Sequence, residues 1–282
     1  MSEKNRKIKI AAIQMASGPQ VSANMIEATR LITMAVDAGA KLIVLPENFA
    51  IMGMKEQDKV DIREKPGDGP IQHFLAEQAS KNQVWLVGGT VPMEASDPRK
   101  VRAACLLLDD RGKQVARYDK AHLFDVQIYQ SEERYKESET IEAGDQVVVA
   151  DTPFGKLGLA VCYDLRFPEL FRNMVNYGAE LIAIPSAFTA KTGKAHWEVL
   201  VRARAIENLS YVIAAGQGGY HLNGRESYGD SMIVDPWGQI LDRLSSGSGF
   251  VIADYDRQQI AMVRRSFPVL EHRKLNCNII AQ

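Results

Sequence analysis

Three residues carry side chains that do chemistry when they meet: Cys162 in "KLGLAVCYDLRFPELF", Glu47 in "KLIVLPEN" and Lys120 in "RYDKAHLFD". A thiol at its ordinary pKa of about 8.5 is mostly protonated near neutrality, so it becomes a nucleophile only beside a base or in a positive environment. A carboxylate supplies the first and an ammonium the second. Singly, each residue has a plainer reading. Free cysteine packs as a small hydrophobe. A glutamate closing a run as apolar as "LIVLP" reaches solvent unless it has a partner, because a buried lone carboxylate is costly. A lysine after a strand is ordinary surface charge. Only their convergence makes a site.

Apolar periodicity defines the elements that have to carry these groups. "IKIAAIQM" reads as a strand, residues 22–38 place Met25, Ala28, Ile32, Ala35 and Val36 at helical spacing, and "KLIVLPE" is a second, fully apolar strand. The order repeats with "KLGLAVCY", then Phe167, Leu170, Phe171, Met174 and Val175 on one helical face, then "ELIAIPS". The two units share an echo, "GAKLIVLPEN" from Gly39 and "GAELIAIPSA" from Gly178. Both are expected to be βαβ crossovers, which makes the chain an α/β protein. In open α/β sheets ligands bind beyond the carboxyl ends of the strands, so Glu47 and Cys162 come to the same rim. Asp110, Arg111 and Gly112 form a turn between two strand-like runs, which puts Lys120 near the end of the returning strand. Only short turn signals such as "KPGDGP" and "DPWG" interrupt the pattern, and one domain over residues 1–282 is expected.

Composition narrows the partners. With 34 basic against 35 acidic residues the formal net charge is −1, which gives no electrostatic reason for nucleic acid or an anionic membrane as partner. A small molecule fits better. The opening "MSEKNRKIKIAAIQ" has no apolar signal core, and no later apolar run is long enough to span a bilayer, so a cytoplasmic protein is expected. Cys105, Cys162 and Cys277 are too few and scattered for a disulfide framework or a Cys-x-x-Cys metal knuckle. Reduced thiols follow, with Cys105 and Cys277 structural. The five histidines form no ligand pair, and there is no Gly-x-Ser-x-Gly elbow, no complete Gly-x-Gly-x-x-Gly and no P-loop.

"LPEN", "YDKAHLFD" and "GLAVCYDLRFPEL", in that order, resemble the nitrilase superfamily of carbon–nitrogen hydrolases, and the likeness runs from "KIAAIQM" to "DPWG". The resemblance implies a four-layer αββα sandwich built from two similar βαβ halves, assembled as a homodimer or larger oligomer. Carried over residue by residue, it makes Cys162 the nucleophile, Glu47 the general base and Lys120 the cationic stabiliser. Lys120 and the helix start near Pro168 would also supply positive potential to the thiol. The family's second glutamate falls on Glu137, in the "KES" context, with Glu132 and Glu133 as competitors in the same charged segment. The Tyr163 N–H and the Lys120 ammonium become the oxyanion donors. A thioester at Cys162 is then released by water, with no cofactor and no metal required.

After the nucleophile, "YDLRF" resembles the amidase branches rather than the true nitrilases. "TGKAHWEVLVRARAIENLSYVIAAGQGG" resembles the branch that hydrolyses deaminated glutathione, and the sister ω-amidase branch, acting on α-ketoglutaramate-like amides, shares much of it. Such substrates carry carboxylates, so fixed cations or donors are expected in the pocket: Arg166, and Lys191, Thr192 and Lys194 on a loop after "PSAF". Thr189 belongs with that loop. Phe188, Trp197 and Tyr228 are candidate walls, and His196 is a helix-start residue that packs or hydrogen-bonds near the site. Another amidase or carbamoylase, a non-catalytic scaffold, and the amide-hydrolysing partner of a glutamine-dependent synthetase are the alternatives. The basic, partly apolar tail "RRSFPVLEHRKLN", within residues 257–282, is expected in subunit contacts, as in the family.

Overall fold

The computed structural model describes residues 7–129 and 132–275. Cys277 and the end of the tail lie outside them. The first half of the chain runs β1 (Ile8–Gln14), α1 (Val21–Asp37), β2 (Ala40–Val44), α2 (Asp58–Asp61), α3 (Pro70–Asn82), β3 (Trp85–Val87), β4 (Val91–Glu94), β5 (Val101–Leu108) and β6 (Gln114–Asp119). A hairpin of β7 (Asp125–Gln127) and β8 (Arg134–Lys136) follows, then β9 (Val149–Thr152), β10 (Gly155–Leu159), α4 (Pro168–Asn176), β11 (Leu181–Ser186), α5 (Ala190–Asn208) and β12 (Tyr211–Gly216). A second small hairpin, β13 (Gly218–Tyr220) with β14 (Glu226–Tyr228), leads to β15 (Ser231–Val234), β16 (Ile240–Leu244), β17 (Gly249–Tyr255) and α6 (Arg257–Ser266).

Two sheets stack face to face. The first has the order β17-β1-β2-β3-β5-β4 with β6 on β5, and the second the order β16-β15-β12-β11-β10-β9. Strand side chains alternate faces, and the burial follows that period of two. Ile10, Ala12, Leu42, Val44, Cys105 and Leu107 pack towards the second sheet, whereas Ala11, Ile13, Ile43, Leu106 and Leu108 pack against α1 and α3. Both faces are covered, which is why these strands read as continuous apolar runs rather than alternating ones. α4 and α5 cover the far side of the second sheet through Phe171, Met174, Trp197 and Val201, completing the αββα order. Cys105 is fully buried between the sheets, and burial pushes its thiol well up.

Both expected crossovers are present: β1 pairs parallel with β2, and β10 with β11. Their shared "GA" has a local cause. Gly39 and Gly178 sit at φ +97° and +90° just past a helix end, donating to Val36 O and Val175 O, a conformation that favours glycine. The alanine after each is buried at the helix-to-strand corner. One boundary differs from the sequence reading. β10 stops at Leu159, and Cys162 is not its last residue but the first of a 3₁₀ turn, Cys162–Arg166.

α6 belongs to its own subunit. Ile260 is buried, and Arg264 donates to Ala179 O at 2.7 Å, Leu209 O at 3.1 Å and Ser210 Oγ at 3.1 Å. Truncation after Asp256 therefore lowers the unfolding free energy of the subunit by at least about 1.5–3 kcal/mol, the contribution of one charge-assisted bond, and the urea midpoint falls with it. Truncation after Ser266 keeps those contacts and is the fair test of the tail in assembly. An unchanged midpoint in the shorter protein would refute this account of α6.

Candidate active site

Three chain segments meet beyond the strand ends. Glu47 follows β2, and its main chain is clamped: Gln217 Nε2 donates to Glu47 O at 3.1 Å and the Asn48 N–H to Thr90 Oγ1 at 2.9 Å. Gly89 lies so close to Pro46 that an added Cβ would fall 2.2 Å from its carbonyl oxygen. Lys120 comes directly off β6, its N–H bonded to Ala103 O and its carbonyl to the Gly144 N–H. Cys162 opens its 3₁₀ turn at φ +48°, a left-handed conformation uncommon outside glycine that is held only where the surroundings fix it.

Asp164 does the fixing. It is fully buried, and each carboxylate oxygen accepts two bonds. Oδ2 takes Tyr118 Oη at 2.7 Å and the Val161 N–H at 2.8 Å. Oδ1 takes the His122 N–H at 3.1 Å and His122 Nδ1 at 2.7 Å. Tyr118 and His122 stand two residues either side of Lys120, so this carboxylate ties the lysine's strand to the nucleophile's turn. His122 also stacks on Phe167, with centroids 3.7 Å apart.

Lys120 Nζ lies 2.8 Å from Glu47 Oε1 and 2.8 and 2.9 Å from the two oxygens of Glu137. Glu137 itself sits in a short 3₁₀ turn, Glu137–Glu139, and accepts the Phe124 N–H at 2.7 Å. Burial alone would lower the lysine's pKa, but the Glu137 and Glu47 charges outweigh it and hold the ammonium well above its ordinary value. The thiol of Cys162 moves the other way from the expected activation. Burial and the Glu47 carboxylate push it well up, and neither Lys120 nor the Ala187 N–H, 3.4 Å from Sγ, compensates. The Lys120 charge is already matched by two carboxylates, so the resting group is a thiol beside a base, not a thiolate.

These groups open onto a cavity of about 290 Å³. Tyr163, Arg166, Phe188, Thr189 and Thr192 line it, as expected. The Arg166 guanidinium lies 5.1 Å from the Phe188 ring centroid and 5.8 Å from that of Tyr163. Its Nη1 donates to His196 Nδ1 at 3.1 Å, and desolvation plus the Arg166 charge lower the pKa of that imidazole.

Other expectations are corrected. His196 hydrogen-bonds near the site through Arg166, as expected, but it sits in the second turn of α5 rather than at the helix start and is not in the cavity lining. Trp197 is core, donating Nε1 to Asp230 O at 2.7 Å and packing edge-on against Phe188 from behind. Tyr228 packs over Gly193 and is likewise outside the lining. The segment after "PSAF" is no loop: Thr189 caps α5, so Thr192 turns inward one helical turn later while Lys191 and Lys194 are exposed. Lys191 pairs with Glu133 at 2.8 Å, and Lys120 takes Glu137, not Glu133, as its second carboxylate. Reading the sequence missed a further part of the lining, made by Glu56, Lys59, Tyr135 and Arg225. No periodic signal marks these residues, because they come from three separate segments: the stretch from Glu56 into α2, the β7–β8 hairpin and the β13–β14 turn. Among the described residues no group of three or more His, Cys, Asp or Glu side chains is arranged to hold a metal ion.

Residues 9–265 match the family model for carbon-nitrogen hydrolase. A Synechocystis protein named deaminated glutathione amidase is 42% identical over 266 residues, 93% of this chain and 97% of that one. The Caenorhabditis elegans NitFhit protein superposes with TM-score 0.89 at 38% identity, and the chain spans 66% of its length against 96% of its own. A Saccharomyces cerevisiae member of branch 10 of the nitrilase superfamily superposes with TM-score 0.86 at 31% identity, covering 97% of this chain and 99% of that one.

Two outcomes follow from the geometry. Because its thiol is raised, Cys162 is alkylated by iodoacetamide at pH 8 more slowly than free cysteine, whose pKa is about 8.5. Glu47→Gln removes the base beside the thiol while burial still holds the thiol pKa up, so it slows that alkylation further; peptide mass spectrometry at Cys162 reads the rate, and a faster variant would contradict the role given to Glu47. Asp164→Asn keeps the shape but turns an amide N–H towards two donors. A loss of about 3 kcal/mol or more in urea unfolding is expected, and a change under 1 kcal/mol would refute the role given to Asp164.

Proposed function

The chain belongs to the carbon–nitrogen hydrolase family, and on that footing we propose that it is a cysteine amidase that cleaves deaminated glutathione through a thioester at Cys162. One observation carries the reading: Cys162, Glu47, Lys120 and Glu137 converge in a single cavity. As Sγ attacks the amide carbonyl, Glu47 takes the thiol proton, so no free thiolate has to be stored. The carbonyl oxygen becomes an oxyanion, and the Lys120 ammonium and the Tyr163 N–H receive it. Each such donor contributes about 2.7–4 kcal/mol in the transition state. Negative charge leaves Glu47 as it arrives on the oxyanion, and Lys120 faces the balance throughout, held in place by Glu137.

Glu47 then gives its proton to the departing nitrogen, the C–N bond breaks, and a thioester remains. Water attacks the thioester carbon while Glu47 accepts a proton from it. Cys162 leaves as thiol, and the net reaction is amide plus water to carboxylic acid plus amine. Deaminated glutathione is an amide of an α-keto diacid with cysteinylglycine, so it brings carboxylates that Arg166 and the other cationic residues of the cavity suit. The Synechocystis relative's name supports this substrate over other amides. α-Ketoglutaramate, which has the same acyl group, is the second reading.

A cytoplasmic setting and an assembly of at least two subunits belong to the same proposal. No helix among the described residues is long and apolar enough to cross a membrane. Trp237 and Phe267 are 64% and 48% exposed with rings 5.8 Å apart, and exposed Ile206 lies beside Gly238, a patch suited to a second copy.

The test is acid and amine release from deaminated glutathione, α-ketoglutaramate, glutamine and asparagine analogues, an N-carbamoyl compound and a nitrile. Deaminated glutathione should give the highest kcat/KM, and Cys162→Ala should lower it on the order of a thousandfold or more. Preference for α-ketoglutaramate moves the protein to the ω-amidase reading. No turnover of any compound refutes the enzyme.

A further inference from the structure

Apart from Lys120, the cavity lining holds two cationic groups, one at Arg166 and one at Lys59 and Arg225, and neither takes part in the bond-breaking steps. Arg166 stands four residues from Cys162 in the nucleophile's own turn, close enough for the two groups to interact electrostatically. The other group is built around Glu56. Lys59 Nζ lies 3.1 Å from Glu56 Oε2, and Arg225 Nη2 bonds to Glu56 Oε1. The Arg225 guanidinium lies 5.1 Å from the Tyr135 ring centroid. Asn223 Nδ2 donates to Gly53 O at 2.7 Å, which fastens the β13–β14 turn carrying Arg225 to the loop carrying Glu56. Two cations held on one carboxylate leave surplus positive charge facing the cavity. Outside the Glu47, Lys120, Glu137 and Cys162 cluster, lysines and arginines outnumber glutamates in the lining by five to three.

Such a pocket fits an anion on each side of the bond to be cut. Deaminated glutathione has that form: a keto-acid carboxylate on the acyl side and the dipeptide carboxylate on the leaving side. We propose that Arg225, with its guanidinium oriented by Glu56 and Tyr135, anchors the leaving-group carboxylate, while Arg166, beside the nucleophile, faces the acyl side. This rests on the reading of the substrate as deaminated glutathione. Arg225 is thereby a specificity-determining residue: it separates an amide of a dipeptide from the primary amide of the same keto acid. A guanidinium over an aromatic face is laterally fixed yet keeps N–H groups on its edge for a carboxylate, which suits bidentate recognition.

The two amides differ only in the group that leaves, so they isolate the claim. For the full-length protein, kcat/KM is measured with deaminated glutathione and with α-ketoglutaramate, in wild type, Arg225→Met and Arg225→Lys. The ratio of the two constants should fall at least tenfold in Arg225→Met, chiefly through KM for deaminated glutathione, and Arg225→Lys should recover part of it. The double variant Arg225→Met with Glu56→Gln removes the carboxylate left without its arginine, and it should show the same fall. A ratio that stays constant while both activities drop, or one restored in the double variant, overturns the proposal: Arg225 would then merely neutralise Glu56. If wild type turns over α-ketoglutaramate but not deaminated glutathione, or neither compound, the substrate reading fails and takes this assignment with it.

Discussion

A single ammonium buried between two carboxylates sets the terms for the rest of the molecule. Lys120 is 2% exposed and Glu47 4%, and at that depth a charge is tolerated only if it is paired and hydrogen-bonded. Removing one partner from such a group typically costs about 3–5 kcal/mol. β6 has to deliver the lysine, β2 one glutamate, and the turn after β8 the other, all to within hydrogen-bond distance. Two stacked sheets whose strands end at a common rim do this. The price of the arrangement is a thiol that cannot ionise early, which makes proton transfer to Glu47 part of the attack rather than a preliminary to it.

Around that cluster, the main chain is fixed with polar groups as well as with apolar packing. Gln217 holds the turn at Glu47, Thr90 the residue after it, and Asp164 the turn at Cys162. Each of these ties the reactive residue to a part of the chain far away in sequence. Preorganisation is useful because an error of about 1 Å in placement can cost on the order of a hundredfold in rate.

The parts of this design legible in the sequence are those with a local cause. The strands were readable because both faces are buried, and the echo of Gly39 and Gly178 because a helix stop needs a left-handed residue. Glu47, Lys120 and Cys162 were readable as residues at strand ends, although β10 stops three residues short of the cysteine. Glu137 was picked out by its resemblance to a family pattern, since its own segment is simply charged. Thr192, Lys191 and Lys194 were grouped together, and only the start of α5 at Ala190 decides which of them faces inward. Asp164 carries no signal of its own in the sequence. Its burial depends on donors from the β6 end some forty residues earlier, and no window of sequence contains both. The wall of Glu56, Tyr135 and Arg225 was invisible for the same reason.

The pairing of β1 with β17 has a consequence for the life of the chain before it is finished. Seven residues at the start of the described chain, Ile8–Gln14, find their antiparallel partner only in Gly249–Tyr255. During synthesis, at about 5–20 residues per second, that apolar strand edge waits more than about ten seconds for its neighbour. An unpaired edge is a template for any other strand. The last strand thus covers β1 and takes its place as the edge of the first sheet. A chain cut short of Gly249 is no smaller version of this protein but a species whose apolar β1 is left as an unpaired edge exposed to aggregation.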